Sequence, residues 1–180
     1  MLKSIVSFAI ELLQVVVFAI AIFLFLYLLI LQPHKIDGAS MEPNFHNGEY
    51  LLTDKVSYRF NNPQRGEVIV FKAPPEYVDE YIKRIIGLPG EKIRIENGVT
   101  YINDKALTED YLPSTTTTHS GNFLKEGQTY LVPEGSYAVF GDNRDHSFDS
   151  RNLGFIETKY ITGKAWLIYW PVSNLGIIKN

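Results

Sequence analysis

Lys92-Ile93-Arg94-Ile95-Glu96-Asn97-Gly98-Val99-Thr100-Tyr101-Ile102 decides the fold class of this 180-residue chain. From Lys92 to Glu96 polar and apolar side chains alternate, the two-residue period of a strand with one wet and one buried face. Asn97-Gly98 then separates this run from a second strand-like run. A two-residue hairpin turn needs positive φ at its centre, which Asn and Gly tolerate, so the stretch predicts a tight antiparallel hairpin. Working outward, Val68–Phe71, Ile82–Ile86, Ser136–Phe140 and Gly163–Trp170 read as further short strands, punctuated by Gly87-Leu88-Pro89-Gly90 and by Pro171. Asn103-Asp104 reads as another turn. Residues 108–134, with four consecutive threonines and Ser120-Gly121-Asn122, read as loop. The expected architecture is mostly β: an antiparallel domain, partly barrel-like, with an inserted hairpin and loop over about 97–134.

The N-terminus follows a different rule. From Leu12 to Leu31 only Gln14 and Tyr27 interrupt an apolar run. Twenty residues of helix rise about 30 Å, the thickness of a bilayer's hydrocarbon core. A cleaved export signal would have a shorter apolar region of about 7–15 residues and small residues before the cut. Here Asp37 would occupy the third position before a cut after Ala39. The segment therefore reads as an uncleaved single-pass anchor over residues 1–32, followed by a β domain over 33–180. Lys3 and Lys35 flank the run, so the charge asymmetry that orients membrane helices is weak.

Composition removes several classes. The net charge is −3, which gives no basic surface for nucleic acid. There is no cysteine, so disulfides, thiolate catalysis and cysteine-ligated zinc are out. His34, His46, His119 and His146 are scattered with no metal-ligand spacing, so neither a metal site nor a cofactor is expected. Nothing calls for an obligate assembly, and a monomer is expected.

Three clusters carry the chemistry. Gly38-Ala39-Ser40-Met41-Glu42-Pro43 lies just beyond the apolar run, with only eight residues between Leu31 and Ser40. At about 3.3–3.6 Å per residue, Ser40 cannot lie far from the membrane. Tyr81-Ile82-Lys83-Arg84 places two cations inside an apolar strand. Alternation puts Lys83 on one face with Tyr81 and Ile85, and Arg84 on the other. Loss of water around an ammonium disfavours the charged form and lowers its pKa toward neutrality. Such an amine can take a proton from a serine hydroxyl without any His-Asp pair. The third cluster is Gly141-Asp142-Asn143-Arg144-Asp145-His146-Ser147-Phe148-Asp149-Ser150-Arg151. Taken singly, each serine or lysine is more often a solvated residue than a catalyst.

Together the clusters resemble the boxes of bacterial type I signal peptidases (leader peptidases), a family of Ser-Lys proteases. The Ser-Met-x-Pro box matches at Ser40, Met41 and Pro43. The lysine box matches at Tyr81, Ile82, Lys83, Arg84, Ile85, Gly87, Pro89 and Gly90, and the last box matches at its fixed positions from Gly141 to Arg151. Arg65-Gly66-Glu67-Val68-Ile69-Val70-Phe71 resembles the intervening strand.

The resemblance implies a membrane-bound serine endopeptidase that removes signal peptides from exported preproteins. Ser40 is then the nucleophile, Lys83 the general base, and Ser147 the hydroxyl that orients the amine. Arg84 with Asp142, and Asp149 with Arg151, look like structural ion pairs. The Ser40 N–H becomes an oxyanion donor. Some members carry a serine two residues before the nucleophile as a second donor, where this chain has Gly38. Pockets for small residues at the first and third positions before the cut are expected to be lined by Ile36, Met41, Phe45, Val70 and Ile82, although plain core residues would show the same pattern. The implied partners are signal peptides and the lipid bilayer. The implied location is the bacterial cell membrane, with the catalytic domain on the extracytoplasmic side. Two other readings fit the residues less well: a specialised Ser-Lys processing protease with few substrates, and a non-catalytic membrane-tethered β module. A soluble self-cleaving repressor of the same chemistry lacks the anchor.

Overall fold

A computed structural model describes residues 2–178. Helix α1 spans Leu2–Leu29 and passes almost directly into strand β1, Leu31–Lys35. The stretch Ile5–Tyr27 has a mean hydropathy of 2.7, and its side chains are exposed. It is long and apolar enough to cross a membrane. No flexible linker separates it from the β domain, because Ile30 O accepts a hydrogen bond from Lys55 N at the end of the next strand.

The strands that follow are β2 (Tyr50–Asp54), β3 (Val68–Lys72), β4 (Glu80–Gly87), β5 (Lys92–Glu96), β6 (Val99–Ile102), β7 (Lys105–Ala106), β8 (Thr129–Leu131), β9 (Ser136–Phe140), β10 (Ile156–Glu157), β11 (Ile161–Trp170) and β12 (Gly176–Ile177), with the one-turn helix α2 at Ser150–Leu153. They form two sheets in which every pairing is antiparallel. The larger runs β1-β2-β11-β3-β4-β9-β10, with β12 beside β11. The order is open at β1 and at β10, so the partly barrel-like sheet is not a closed barrel. Register shifts in β11, at Ala165/Leu167 and Ile168/Trp170, and in β4, at Ile85/Gly87, mark bulges. Bulges increase local twist and bend a strand, and here they help curl the sheet.

The smaller sheet runs β7-β6-β5-β8. Its hairpin has the register read from sequence: Glu96 faces Val99, and Ile93 faces Ile102. Asn97 at φ 51° and Gly98 at φ 80° supply the two left-handed positions of the turn. This sheet starts at Lys92, ahead of the insert limit near 97. It also recruits Thr129–Leu131 as β8, inside the segment read as loop. A three-residue edge strand is too short to leave a periodic signature. β1 and β2 likewise escape a reading by pattern, since β1 contains Pro33 and β2 has only two fully buried residues.

Three apolar clusters hold the domain. One contains Ile36, Met41, Phe45, Leu51, Val68, Val70, Ala165 and Ile168. The second centres on Ile86, Ile93, Ile95, Val132 and Phe140 and joins the two sheets. The third, with Ile69, Phe71, Ile85 and Val139, packs against the other face of β3 and β4.

Candidate active site

Ser40 stands at the head of a tight turn. Glu42 N donates to Ala39 O, and Asn44 N and Phe45 N both donate to Met41 O. Met41 and Phe45, four residues apart, lie on one side of that turn and are buried in the first apolar cluster. Their burial fixes the turn and so the position of the Ser40 side chain. From outside, the third box grips the same turn. Asn143 N donates to Ser40 O at 3.1 Å, and Asn143 Nδ2 donates to Ala39 O at 3.0 Å. Gly141 permits this approach: a Cβ there would collide with the Ser40 carbonyl oxygen and with Ser147 Oγ.

Lys83 reaches Ser40 from β4. Its Nζ donates to Ser40 Oγ at 2.7 Å and to Ile82 O at 2.8 Å. The residue is 3% exposed. Burial lowers the amine from 10.5 to about 8; the charges of Asp149 and Asp142 pull it upward, and Arg151 pushes it down. The amine also lies 5.5 Å from the Tyr81 ring centroid, on the face that alternation assigns to both.

Among the described hydrogen bonds, none joins Ser147 to Lys83. Its hydroxyl donates to Asp149 Oδ2 at 2.7 Å, and the second partner of Lys83 is the Ile82 carbonyl. The hydroxyl proton goes to Asp149, while the Lys83 amine donates to Ser40 Oγ and Ile82 O.

The two expected ion pairs form. Arg84 Nε and Nη2 donate to Asp142 Oδ1 and Oδ2 at 2.9 and 2.6 Å, and Arg84 Nη1 donates to Gly66 O at 2.8 Å. Arg151 Nε and Nη2 donate to Asp149 Oδ1 and Oδ2, each at 2.8 Å. Both are two-pronged pairs of buried groups, a geometry suited to guanidinium and carboxylate. Arg144 adds a third buried guanidinium, bonded to Glu109, Thr118 and the Gly141 carbonyl. The sequence pattern marks Arg144 only as a fixed position of its box.

A cleft of about 460 Å³ opens beside Ser40 and Lys83. Ile36, Val70 and Ile82 line it, as expected. Met41 and Phe45 do not; they are core residues beneath the nucleophile turn. The far end is polar, which the sequence pattern gives no reason to expect. His34 Nε2 lies 2.7 Å from Glu80 Oε2, and His34 Nδ1 lies 2.9 Å from Thr53 Oγ1. Thr162 Oγ1 donates to Glu80 Oε1 at 2.5 Å. Burial opposes ionisation of Glu80, but the bonds from Thr162 and His34 keep its carboxyl below the usual range. Among the described residues no three His, Asp or Glu side chains are placed to hold a metal ion.

Comparison with known proteins gives the family. Residues 9–170 match the family model described as signal peptidase, peptidase S26. The chain is 36% identical over 150 residues to a probable signal peptidase I-2 of Synechocystis, covering 81% of this chain and 66% of that protein. It is 32% identical over 177 residues to signal peptidase IB of Staphylococcus aureus strain Mu50, covering 91% of this chain and 92% of that protein. A solved signal peptidase I from Enterococcus faecalis is 36% identical, with a TM-score of 0.47 over 58% of this chain and 97% of the other. The family model spans most of the apolar helix, the serine turn, the lysine strand and the Gly-Asp-Asn-Arg box, and on that match the chain belongs to the signal peptidase family, peptidase S26, whose members are serine endopeptidases.

Proposed function

We propose that this chain removes signal peptides from exported preproteins, with Ser40 as nucleophile and Lys83 as general base. The observation that carries this reading is the 2.7 Å contact between Lys83 Nζ and Ser40 Oγ, made by a buried amine whose pKa is lowered to about 8. A neutral Lys83 accepts the Ser40 hydroxyl proton as Oγ bonds to the scissile carbonyl carbon. The charged amine then returns that proton to the leaving nitrogen as the C–N bond breaks. In the second half a water attacks the acyl-enzyme, gives its proton to Lys83, and Ser40 leaves with a proton from the amine. Ile82 O holds the amine in line throughout. The Ser40 N–H has no acceptor among the described residues and is available to the oxyanion. Gly38 offers no hydroxyl, and the space beside it is open. A second donor would have to come from the backbone or from water.

The substrate enters as an extended strand. Residues 80–83 of β4 pair with β3 on one side only, because β9 joins β4 from Arg84 onward. That free edge is suited to strand addition. Ile36, Val70 and Ile82 leave shallow apolar space, which supports a requirement for small residues at the first and third positions before the cut. Helix α1 supports a single bilayer crossing, since its exposed apolar residues are stable in lipid rather than in water. Signal peptides presented at the outer face of the membrane would place the β domain on the extracytoplasmic side, working as a monomer.

The test is purified full-length protein in detergent with a preprotein carrying an Ala-x-Ala site, the new N-terminus being sequenced. A cut after the second alanine, lost in Ser40→Ala, is the expected result. Cutting by Ser40→Ala would overturn the nucleophile assignment.

A further inference from the structure

The loop that carries Ser40 joins β1 to β2 and has a narrow neck. There Ile36 N donates to Glu49 O at 2.8 Å, and Gly48 N donates to Ile36 O at 2.9 Å. Gly38 N adds a rung to Asn47 Oδ1 at 3.0 Å. The Glu49 side chain belongs to this neck. It is buried, and its Oε2 accepts from His46 N at 2.9 Å, which closes the last turn of the loop. The other carboxylate oxygen is held from outside the loop: Asn174 Nδ2 donates to Glu49 Oε1 at 2.5 Å across 125 residues of sequence.

Asn174 lies on a short return segment. After Pro171 one turn of 3-10 helix at Val172–Asn174 reverses the chain, and β12 pairs back on β11 through Ile177 with Leu167 and Gly176 with Ile168. Ile178 N donates to Trp166 O at 2.9 Å. The Ile178 side chain packs against the first apolar cluster, which holds Ile36, Met41 and Phe45. The segment thus meets the loop's supports at two points: a polar bond at the neck, and an apolar side chain on the cluster that seats the nucleophile turn. The family model ends at residue 170, so the segment lies beyond the residues on which the family assignment rests.

We propose that residues 171–178 brace the nucleophile loop, with Asn174 as a positioning residue that keeps Ser40 Oγ on Lys83 Nζ. The proposal rests on the assignment of Ser40 and Lys83 as the catalytic pair. Asn174 acts through Glu49 rather than on the reacting atoms. Lys83 comes from β4 and Ser40 from the loop, so any shift of the loop against the sheet changes their contact directly. The brace ties the loop to β11, which is joined to β4 through β3. Without the Asn174 amide, Glu49 Oε1 is left beside the His46 ring at 3.4 Å. A buried acceptor that loses its donor is costly, and the neck relieves that cost by moving Glu49 toward water. Movement of a reacting group by about 1 Å is enough to cost on the order of 10²-fold in rate. Asn174 itself is a surface residue, so its amide is altered without opening the core.

The experiment measures kcat and KM for the full chain in detergent on a preprotein with an Ala-x-Ala site, at a temperature where every variant is folded. Variants are Asn174→Ala, Asn174→Asp, the double variant Asn174→Asp with Glu49→Gln, and Leu175→Ala as a control on the same segment, its side chain being exposed. Asn174→Asp sets two carboxylates against each other. Adding Glu49→Gln exchanges donor and acceptor and restores the bond, while the Gln oxygen still accepts from His46 N. The expected result is a fall in kcat of about fivefold in Asn174→Ala and more in Asn174→Asp, with KM within about twofold. The double variant should recover to within about twofold of wild type, and Leu175→Ala should match it. A chain ended after Pro171 should lose more than either single variant; if it does not fold, the Asn174 series decides. Wild-type kcat in both Asn174 variants, or no recovery in the double variant, would overturn the brace and leave the Ser40–Lys83 reading intact. A raised KM at unchanged kcat, or an equal loss in Leu175→Ala, would overturn it as well. Failure of the wild type to cut, or cutting by Ser40→Ala, would sink the catalytic reading and the brace with it.

Discussion

Lys83 and Arg84 are adjacent on β4, both buried, and serve opposite faces of the same strand. Lys83 meets the Ser40 hydroxyl, while Arg84 meets the Asp142 carboxylate. Strand alternation makes this division possible. One cation is placed where loss of water makes it a weak acid; its neighbour is fully paired and stays charged. The same short segment thus supplies a base for chemistry and a clamp for the fold.

The first prediction concerns pH. With the amine at about 8, roughly a tenth of the molecules carry neutral Lys83 at pH 7, against about one in three thousand for an ordinary lysine. The rate should rise with pH to a plateau above about 8. Lys83→Arg and Lys83→Met should lose at least ~10²-fold in kcat, because neither supplies a base at working pH. A pH–rate profile of wild type that stays flat from pH 6 to 9 would contradict the assignment.

Stability should rise with pH as well, over a higher window. The Lys83 pKa is depressed in the folded state, so the unfolded chain binds more protons between about pH 8 and 10.5 and stability rises with pH through that window. Below about pH 8 the full penalty is present, on the order of 3 kcal/mol. Lys83→Met should therefore raise Tm at pH 7, and its advantage should shrink as pH approaches 10.5. A lower Tm for this variant at pH 7 would show that the bonds to Ser40 and Ile82 O outweigh desolvation.

Breaking the other clamp should be costly. Asp142→Ala leaves the Arg84 guanidinium, 2% exposed, without its carboxylate. Loss of one partner of a buried pair costs about 3–5 kcal/mol. Replacing both residues with apolar ones should recover much of that loss. Chemical denaturation of the single and double variants measures it, and a single variant within ~1 kcal/mol of wild type would refute the structural role.

Asn143 offers a subtler test. Asn143→Ala removes the side-chain bond to Ala39 O but keeps the backbone bond to Ser40 O. The turn should loosen without unfolding, with kcat falling about tenfold and stability by ~1 kcal/mol or less. Wild-type kcat in this variant would mean that Met41 and Phe45 hold Ser40 unaided.

Much of the site was legible because its residue types are chemically unusual in their places. A lysine inside an apolar strand and a serine beside an apolar helix draw notice from spacing alone. The partner that the Ser147 hydroxyl takes was not legible in its box, because Asp149, two residues on, also accepts from it. Met41 and Phe45 were placed in the cleft because an apolar residue near a nucleophile looks the same whether it lines a pocket or supports a turn. β8 and β1 were missed because short or proline-containing edge strands are set by their neighbours rather than by their own pattern.

Local rules were enough for the apolar helix, the alternating strands and the Asn97-Gly98 turn, since each depends on contacts a few residues apart. Those rules also put Lys83 and Arg84 on opposite faces. They say nothing about which strand edges face each other once the sheet has curled. The approach of Lys83 to Ser40 over 43 residues, and of His34 to Glu80 over 46, follows from strand order, bulges and the packing of the cores between them. Pairings at that range are decided by the whole sheet, because only its curvature brings two unpaired edges within a hydrogen bond of each other.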